Sequence, residues 1–492
     1  MTDFGHGATP VAFPASSRIV RLLSAPRVLV VLLGLNVLVA CLVCYGFRHE
    51  ITGDHYTYLG YVEGLSRGRY SYWYFFPDYI PDTLRNPGYP VFLYALSLIS
   101  KSVALIQLVQ LALYLSAVWL VVRTLKRFAP DPTNGRVAAA VFLLLLLPNV
   151  QMAYYAAVVF PEILTTFLVT AYFAVVVFTV PGNWSRAIAL GLLTGALFQS
   201  RPVFLFFPLV QVGLEWLLRR GQFRVGVALL QLAVYGFTMV PYALWNQRHH
   251  GQFKITSLEG GAGVMQTGFW GFRMPGYKEM RTFGNTMGNE PIKFVEPAAV
   301  PGYIAQFNRE WDEIDRQLLP HQTRQDSLYL TRMRHDYPLL IATRSAPLTK
   351  AREALMLRST LQHIAAEPGY YLKTRIYTFF RLFITGVQLT ELAKAHSPAA
   401  LLKVLYPFLV SAFTFLLALV LVPLALWRRR VGGFAFWLAL LLTLYFGAIH
   451  VPFSIQARYT TPIRLLFIYS IAVSAAGLLR PHRPAVALPA AG

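Results

Sequence analysis

Long apolar runs alternate with short polar breaks along most of the chain. A run of about 20 apolar residues matches a helix that crosses a membrane. The first such run is about Val28–Phe47, preceded by Arg18, Arg21 and Arg27. The second, about Val103–Val122, ends at Arg123, Lys126 and Arg127. The third starts after Arg136 and is broken at Pro148 and Asn149. A proline inside a span removes a backbone hydrogen bond and is retained beside protein or a cavity. Gln151–Val159 then reads as a short outside loop. The fourth span opens at Pro161 and Glu162, both ordinary helix-start residues, and runs to about Val180. The fifth, about Ala187–Phe198, carries Gly191 and Gly195, a pair that lets helix backbones approach. Val203–Leu218, Val225–Trp245, Leu401–Trp427, Gly433–Ile449 and Pro462–Leu479 complete an expected ten spans. Val91–Ser100 is apolar but only half a span long, so it is expected to re-enter or lie at the interface.

Two polar stretches interrupt this pattern. Ile51–Pro90 follows the first span and is rich in tyrosine. Within it Asp54, Tyr58, Tyr61 and Leu65 recur at helical spacing, which predicts one face of a short helix. It closes in Arg85-Asn86-Pro87-Gly88-Tyr89-Pro90, a rigid turn into the next apolar run. The second stretch, Asn246–Ala400, holds no full span, and its fold stays open. In it Arg344–Ala366 reads as a surface helix. Tyr370–Val387, interrupted by Lys373, Arg375 and Arg381, reads as interfacial. Glu290, Asp312 and Glu313 read as solvated charges without partners.

Composition sharpens the class. Of 492 residues, 56% are hydrophobic and 13% charged, against about 25% charged in a soluble domain. The expected fold class is therefore an all-α polytopic membrane protein. The net charge of +22 does not imply nucleic acid. Much of the excess sits at span ends, where it sets topology. The remainder suits anionic lipid head groups or a lipid phosphate. Cys41 and Cys44 both lie in the first apolar run and make neither a disulfide framework nor a zinc site. That run exceeds the h-region of a signal peptide, so it is expected to be retained.

Positive-inside logic then divides the chain. Residues 1–27 form a cytoplasmic N-terminus, and 28–245 a membrane core with an outside first loop at 48–90. Residues 246–400 form an extracytoplasmic segment with interfacial helices, 401–480 the C-terminal spans, and 481–492 a cytoplasmic tail. No internal repeat is evident.

This topology collects the unusual polar residues on one side: Asp54, His55, Arg85, Asn86, Glu162, Arg201, His249, His250, His450 and Arg458. Carboxylates and arginines at one membrane face suit a substrate with an anionic phosphate and a nucleophilic hydroxyl. A carboxylate can accept the hydroxyl proton. Arginine can hold the leaving phosphate bidentately. Each residue also has a plain structural reading. Asp54 can cap a helix, Glu162 can complement a helix dipole, and Arg201 and Arg458 can snorkel to the interface. The histidines lack a third ligand at metal spacing and read as structural. No P-loop or dinucleotide fingerprint is present.

Several motifs, taken in order, resemble the GT-C superfamily of membrane glycosyltransferases. The similarity is to the protein mannosyltransferases and aminoarabinose transferases (glycosyltransferase families 39 and 83). It rests on Gly53-Asp54-x-x-x-Tyr58 after span one, the Arg85–Pro90 turn, Phe160-Pro161-Glu162, the glycine-rich run ending in Arg201-Pro202, and Ala457-Arg458-Tyr459-Thr460-Thr461-Pro462. It covers roughly 28–210 well and 401–479 loosely. Two features depart from it: the acid after span one stands alone, and the long polar segment is not C-terminal.

The resemblance implies a polyprenyl-phosphate-sugar donor, a lipid, glycan or protein acceptor, and inverting transfer at the periplasmic face of the inner membrane. It implies Asp54 as base or positioning acid and Arg201, Arg458 and Arg85 at the donor phosphate. Tyr58, Glu162, His55 and Tyr89 would contact substrate. No cofactor is expected, and the sequence leaves a divalent metal open. A lipid-sugar flippase or a glycan ligase or polymerase is the competing expectation.

Overall fold

The computed structural model describes residues 14–51, 53–74, 79–82, 84–128, 131–259, 261–273, 295–318, 346–384, 396–453 and 457–479. Glu290, Arg344, Val387 and the 481–492 tail lie outside them. The described residues form helices and no strands. In chain order these are α1 Pro14–Ser24, α2 Pro26–Gly46, α3 Gly53–Ser66, α4 Gly88–Ser97, α5 Val103–Phe128, α6 Pro132–Leu146, α7 Gln151–Ala157, α8 Glu162–Phe178, α9 Trp184–Ser200 and α10 Phe207–Leu218. There follow α11 Val225–Phe237, α12 Val240–His250, α13 Gly261–Trp270, α14 Val300–Leu318, α15 Ala346–Ala366, α16 Pro368–Phe383, α17 Pro398–Trp427, α18 Phe434–His450 and α19 Thr461–Leu479.

All ten expected spans fall on helices. Five are long and apolar enough to cross a membrane: α2, α5, the α11–α12 run, α17 and α19. The α6–α7 pair, bent by 67°, makes a sixth if counted as one broken span. Glu162–Phe178, Pro202–Leu218 and Phe434–His450 are shorter apolar helices. Helix starts follow local chemistry. The Asp131 carboxylate caps α6 by accepting from the Asn134 amide at 2.7 Å, and Asn183 caps α9 through the Ser185 amide at 2.9 Å.

α19 is the hub. It packs on α6, α8, α17 and α18, and its apolar window is 78% buried. α2 stands at the edge, with Val30, Val31, Leu38 and Leu42 outward, as a lipid-facing helix would. Gly191 and Gly195 do what their spacing predicts: a Cβ at Gly191 would strike Val234 of α11, and one at Gly195 would strike Thr238, just past its end.

Three expectations need correction. Gln151–Val159 is not a loop, because α7 is a helix with Met152, Ala153, Ala156 and Ala157 buried. The break before it is covered from α17. Asn149 Nδ2 reaches Leu145 O at 2.6 Å and Thr414 Oγ1 at 3.3 Å, and the Tyr406 hydroxyl donates to Pro148 O at 2.8 Å. These bonds occupy groups that the proline break frees.

α15 is not an isolated surface helix. With α13 and α14 it encloses a second apolar core around Phe269, Trp270, Phe307 and Trp311. Arg273 is buried there against the Phe269 and Tyr370 rings and pairs with Glu367 at 2.7 Å. Glu313 is solvated, as expected, but it pairs with Arg316.

α16 does turn Leu372, Ile376 and Phe380 outward, as an interfacial helix would. Arg375, however, points inward. It donates to Val451 O at 2.9 Å, Phe453 O at 3.3 Å and Gly268 O at 2.8 Å. It ties α13, α16 and the end of α18 together.

Candidate active site

Five charged residues from five separate segments meet at one end of the bundle. Asp54 sits in the first turn of α3 and Arg85 in the turn before α4. Glu162 opens α8, Arg201 follows α9, and Arg458 lies in the short helix before α19. Arg85 Nη2 donates to Asp54 Oδ1 at 3.2 Å, and Arg458 Nη2 to Asp54 Oδ2 at 2.8 Å. Arg201 Nη2 donates to Glu162 Oε1. Arg458 Nε lies 3.8 Å from the same oxygen, so Arg458 bridges both acids.

Three guanidinium groups against two carboxylates leave an excess charge of +1 (3 − 2). Several strong donors and acceptors in the cluster are buried without a protein partner: the Nε atoms of Arg85, Arg201 and Arg458, and Glu162 Oε2. Native interiors rarely leave such groups unmade. A cluster with spare donors and net positive charge is prepared for an anion. Glu162 is wholly buried, whereas the Asp54 side chain is 26% exposed and open to a reactant. Burial pushes the Asp54 carboxyl up, but the Arg85 and Arg458 charges outweigh it and hold its pKa below the usual value.

The supports of Arg85 escaped the sequence reading. Asp82, 1% exposed, accepts from the Leu84 amide at 3.0 Å, the Arg85 amide at 2.9 Å and the Tyr61 hydroxyl at 2.7 Å. Burial nevertheless pushes its carboxyl up to about 7. The Arg85 carbonyl accepts from the Tyr70 hydroxyl at 2.8 Å and the Tyr242 hydroxyl at 3.0 Å. Asn86 Oδ1 accepts from the Ser257 amide at 2.9 Å.

Gly88 completes the turn. A Cβ there would lie 2.5 Å from the Gln199 carbonyl carbon and 2.6 Å from the Ser200 amide nitrogen. Only glycine lets the Arg85 turn touch the end of α9, where Arg201 begins. The sole sequence signal for Asp82 is its place three residues before Arg85, the spacing of a side chain that folds over a turn.

The remaining expected site residues divide. Tyr58 is buried under the Arg85 guanidinium, 5.5 Å from its ring centre, and meets Tyr89 edge-on at 4.8 Å. Tyr89 is 1% exposed, and its hydroxyl donates to Gln110 Oε1 at 2.9 Å. It supports Tyr58, and its hydroxyl is engaged by Gln110. His55 is buried beside Tyr56, and burial lowers its pKa, which favours neutral imidazole.

His250 is tied to the Asp82 carbonyl at 2.8 Å, and His249 stacks near Trp245. His450 lies against Tyr459, beside Arg458, and hydrogen-bonds Phe446 O at 2.7 Å. Among the described residues no group of three His, Cys, Asp or Glu side chains is placed to hold a metal ion.

No protein-family model and no curated protein matches the chain. Among solved structures, it is similar to the crystal structure of ArnT from Cupriavidus metallidurans bound to undecaprenyl phosphate. The identity is 14% and the TM-score 0.38, over 92% of this chain and 78% of that one.

Proposed function

We propose that the chain is an integral membrane glycosyltransferase with a GT-C-type architecture. It moves a single sugar from a polyprenyl-phosphate donor to a lipid, glycan or protein acceptor at the periplasmic face of the inner membrane. The observation that carries this reading is the bridging of Asp54 and Glu162 by Arg458, with Arg85 and Arg201 alongside.

The chemistry follows from the charges. The donor phosphate enters as an anion and takes the spare donors of Arg85, Arg201 and Arg458. Those contacts compete with the carboxylates for the same guanidinium groups, and Asp54 regains basicity as its partners turn to phosphate. An acceptor hydroxyl then gives its proton to Asp54. Its oxygen attacks the anomeric carbon from the face opposite the phosphate. The bond from that carbon to the phosphate oxygen breaks, and its electron pair leaves with the phosphate. The configuration inverts. The arginines neutralise the charge that grows on the leaving group. With an acceptor that is already an ionised phosphate, Asp54 only positions it. Glu162, wholly buried, orients Arg201 and Arg458. Tyr58 and the neutral His55 line the approach to Asp54.

The test is transfer from a labelled polyprenyl-phosphate sugar pool by purified protein in lipid, wild type against Asp54→Asn. Label in a new product with wild type alone supports the reading. Movement of labelled lipid between leaflets by both proteins, without a new product, replaces it with a flippase.

A further inference from the structure

A second cationic site lies at the other end of the bundle. The C-terminal ends of α5, α8 and α10 line an open depression of about 530 Å³. α8 runs from Glu162 to Phe178, so at 1.5 Å per residue the depression is about 24 Å from the candidate active site. Its walls include Arg127 from α5, Thr179 beyond α8, and Arg219, Arg220 and Gln222 beyond α10. Among the described residues no carboxylate lines it. The nearby acid of α10, Glu215, is buried and neutralised by Arg186 of α9.

The arginines are held in place by aromatic faces. Arg219 stacks 3.6 Å from the Phe434 ring centre, Arg220 lies 5.1 Å from Trp216, and Arg127 lies 5.3 Å from Phe178. A guanidinium packed on an aromatic ring keeps N–H groups at its edge for other acceptors; Arg219 gives one of its own to Val176 O. The rim differs in character. Val180 and Leu218 line it, are apolar and are each more than half exposed. A free phosphate ion needs the walls and has no use for the rim. A molecule with an anionic head and an apolar body uses both.

We infer that this depression binds the phosphate head group of an anionic phospholipid, with the acyl chains lying over Val180 and Leu218. The cation-rich ends of the spans face the cytoplasm by the positive-inside rule, and that leaflet surface is negatively charged. The site is separate from the one around Asp54 and requires no sugar transfer.

The test uses the full chain in mild detergent, titrated with phosphatidylglycerol or phosphatidylcholine and read by native mass spectrometry. Wild type is expected to retain phosphatidylglycerol at least about tenfold better than phosphatidylcholine. The Arg219→Gln, Arg220→Gln double variant is expected to lose that preference, since each surface arginine adds about fivefold. Arg219 also donates to Val176 O, so Arg220→Glu alone provides a second variant that leaves this bond intact. Unchanged preference in both variants overturns the inference. So does displacement of the lipid by an equal concentration of inorganic phosphate, which would identify a site for free anions.

Discussion

Arg458 donates from Nη2 to Asp54 Oδ2 at 2.8 Å, joining residues 404 positions apart. The same guanidinium lies 3.8 Å from Glu162. It is therefore the pivot between the solvent-accessible acid and the buried one. Arg458→Lys supplies one point charge where a fork is needed. Transfer is expected to fall by at least about tenfold, with the loss concentrated in donor binding. Initial rates over a range of donor concentrations check this.

Asp54→Asn keeps the shape and removes the charge. Loss of a positioned base costs about 10²–10⁴-fold, so transfer is expected to drop into that range while the protein elutes as wild type. Asp54 also stands among arginines that hold its pKa down. Without substrate it is ionised throughout the neutral range, so under the proposed function no loss of kcat/KM near pH 6 is expected from Asp54 itself. A pH–rate profile checks this.

Arg201→Gln leaves the wholly buried Glu162 with only the longer contact to Arg458. Removing one partner of a buried pair costs about 3–5 kcal/mol. The Glu162→Gln, Arg201→Gln double variant is expected to recover part of that loss, because no charge is then stranded. Thermal unfolding of the two single variants and the double variant measures the coupling.

Asp82 supplies a pH dependence of opposite sign to that of a paired carboxylate. Its folded pKa is raised to about 7, above the unfolded value of about 3.9. The folded state then holds a proton that the unfolded state has lost. This contribution is full below the unfolded value and declines as pH rises towards 7. Asp82→Asn is expected to flatten the fall in stability between about pH 4 and pH 7. The difference between the wild-type and variant unfolding curves across that window tests it.

Gly88→Ala places a methyl group against the backbone at Gln199 and Ser200. Backbone cannot yield as a flexible side chain does. The Arg85 turn is expected to lift from α9, and transfer to fall by about tenfold or more, as a 1 Å misplacement can cost. A wild-type rate in a folded Gly88→Ala protein would remove this contact from the machinery.

Asp54, Arg85, Glu162, Arg201 and Arg458 were legible because each sits at or beside the end of an apolar run. Span ends on one side of a membrane lie near one plane, so linear position already limits where these side chains can be. The α3 face was legible for a similar reason, since helical spacing brings Asp54, Tyr58 and Tyr61 together. Asp82 was not. It lies in an irregular stretch without periodicity, and its burial depends on Tyr61, some 20 residues away. The fold of 246–400 was closed to sequence reading because its core joins α13, α14 and α15 across long gaps. Charged residues such as Arg273 and Arg375 go inside there, against the pattern that polar positions face water. The place of Tyr89 in a motif likewise says nothing of Gln110, which takes its hydroxyl.

The burial of α19 has a consequence for biogenesis. A ribosome delivers α5, α6 and α8 to the membrane long before the helix that packs on them. Until Thr461–Leu479 arrives, the surfaces that will receive it face lipid or holding factors. Arg458 lies just before that helix, so Asp54, which meets Arg85 early, waits through nearly the whole of synthesis for its second arginine. The charged cluster is thus completed in one late step, and a nascent chain cut short before Arg458 carries a complete first loop without it.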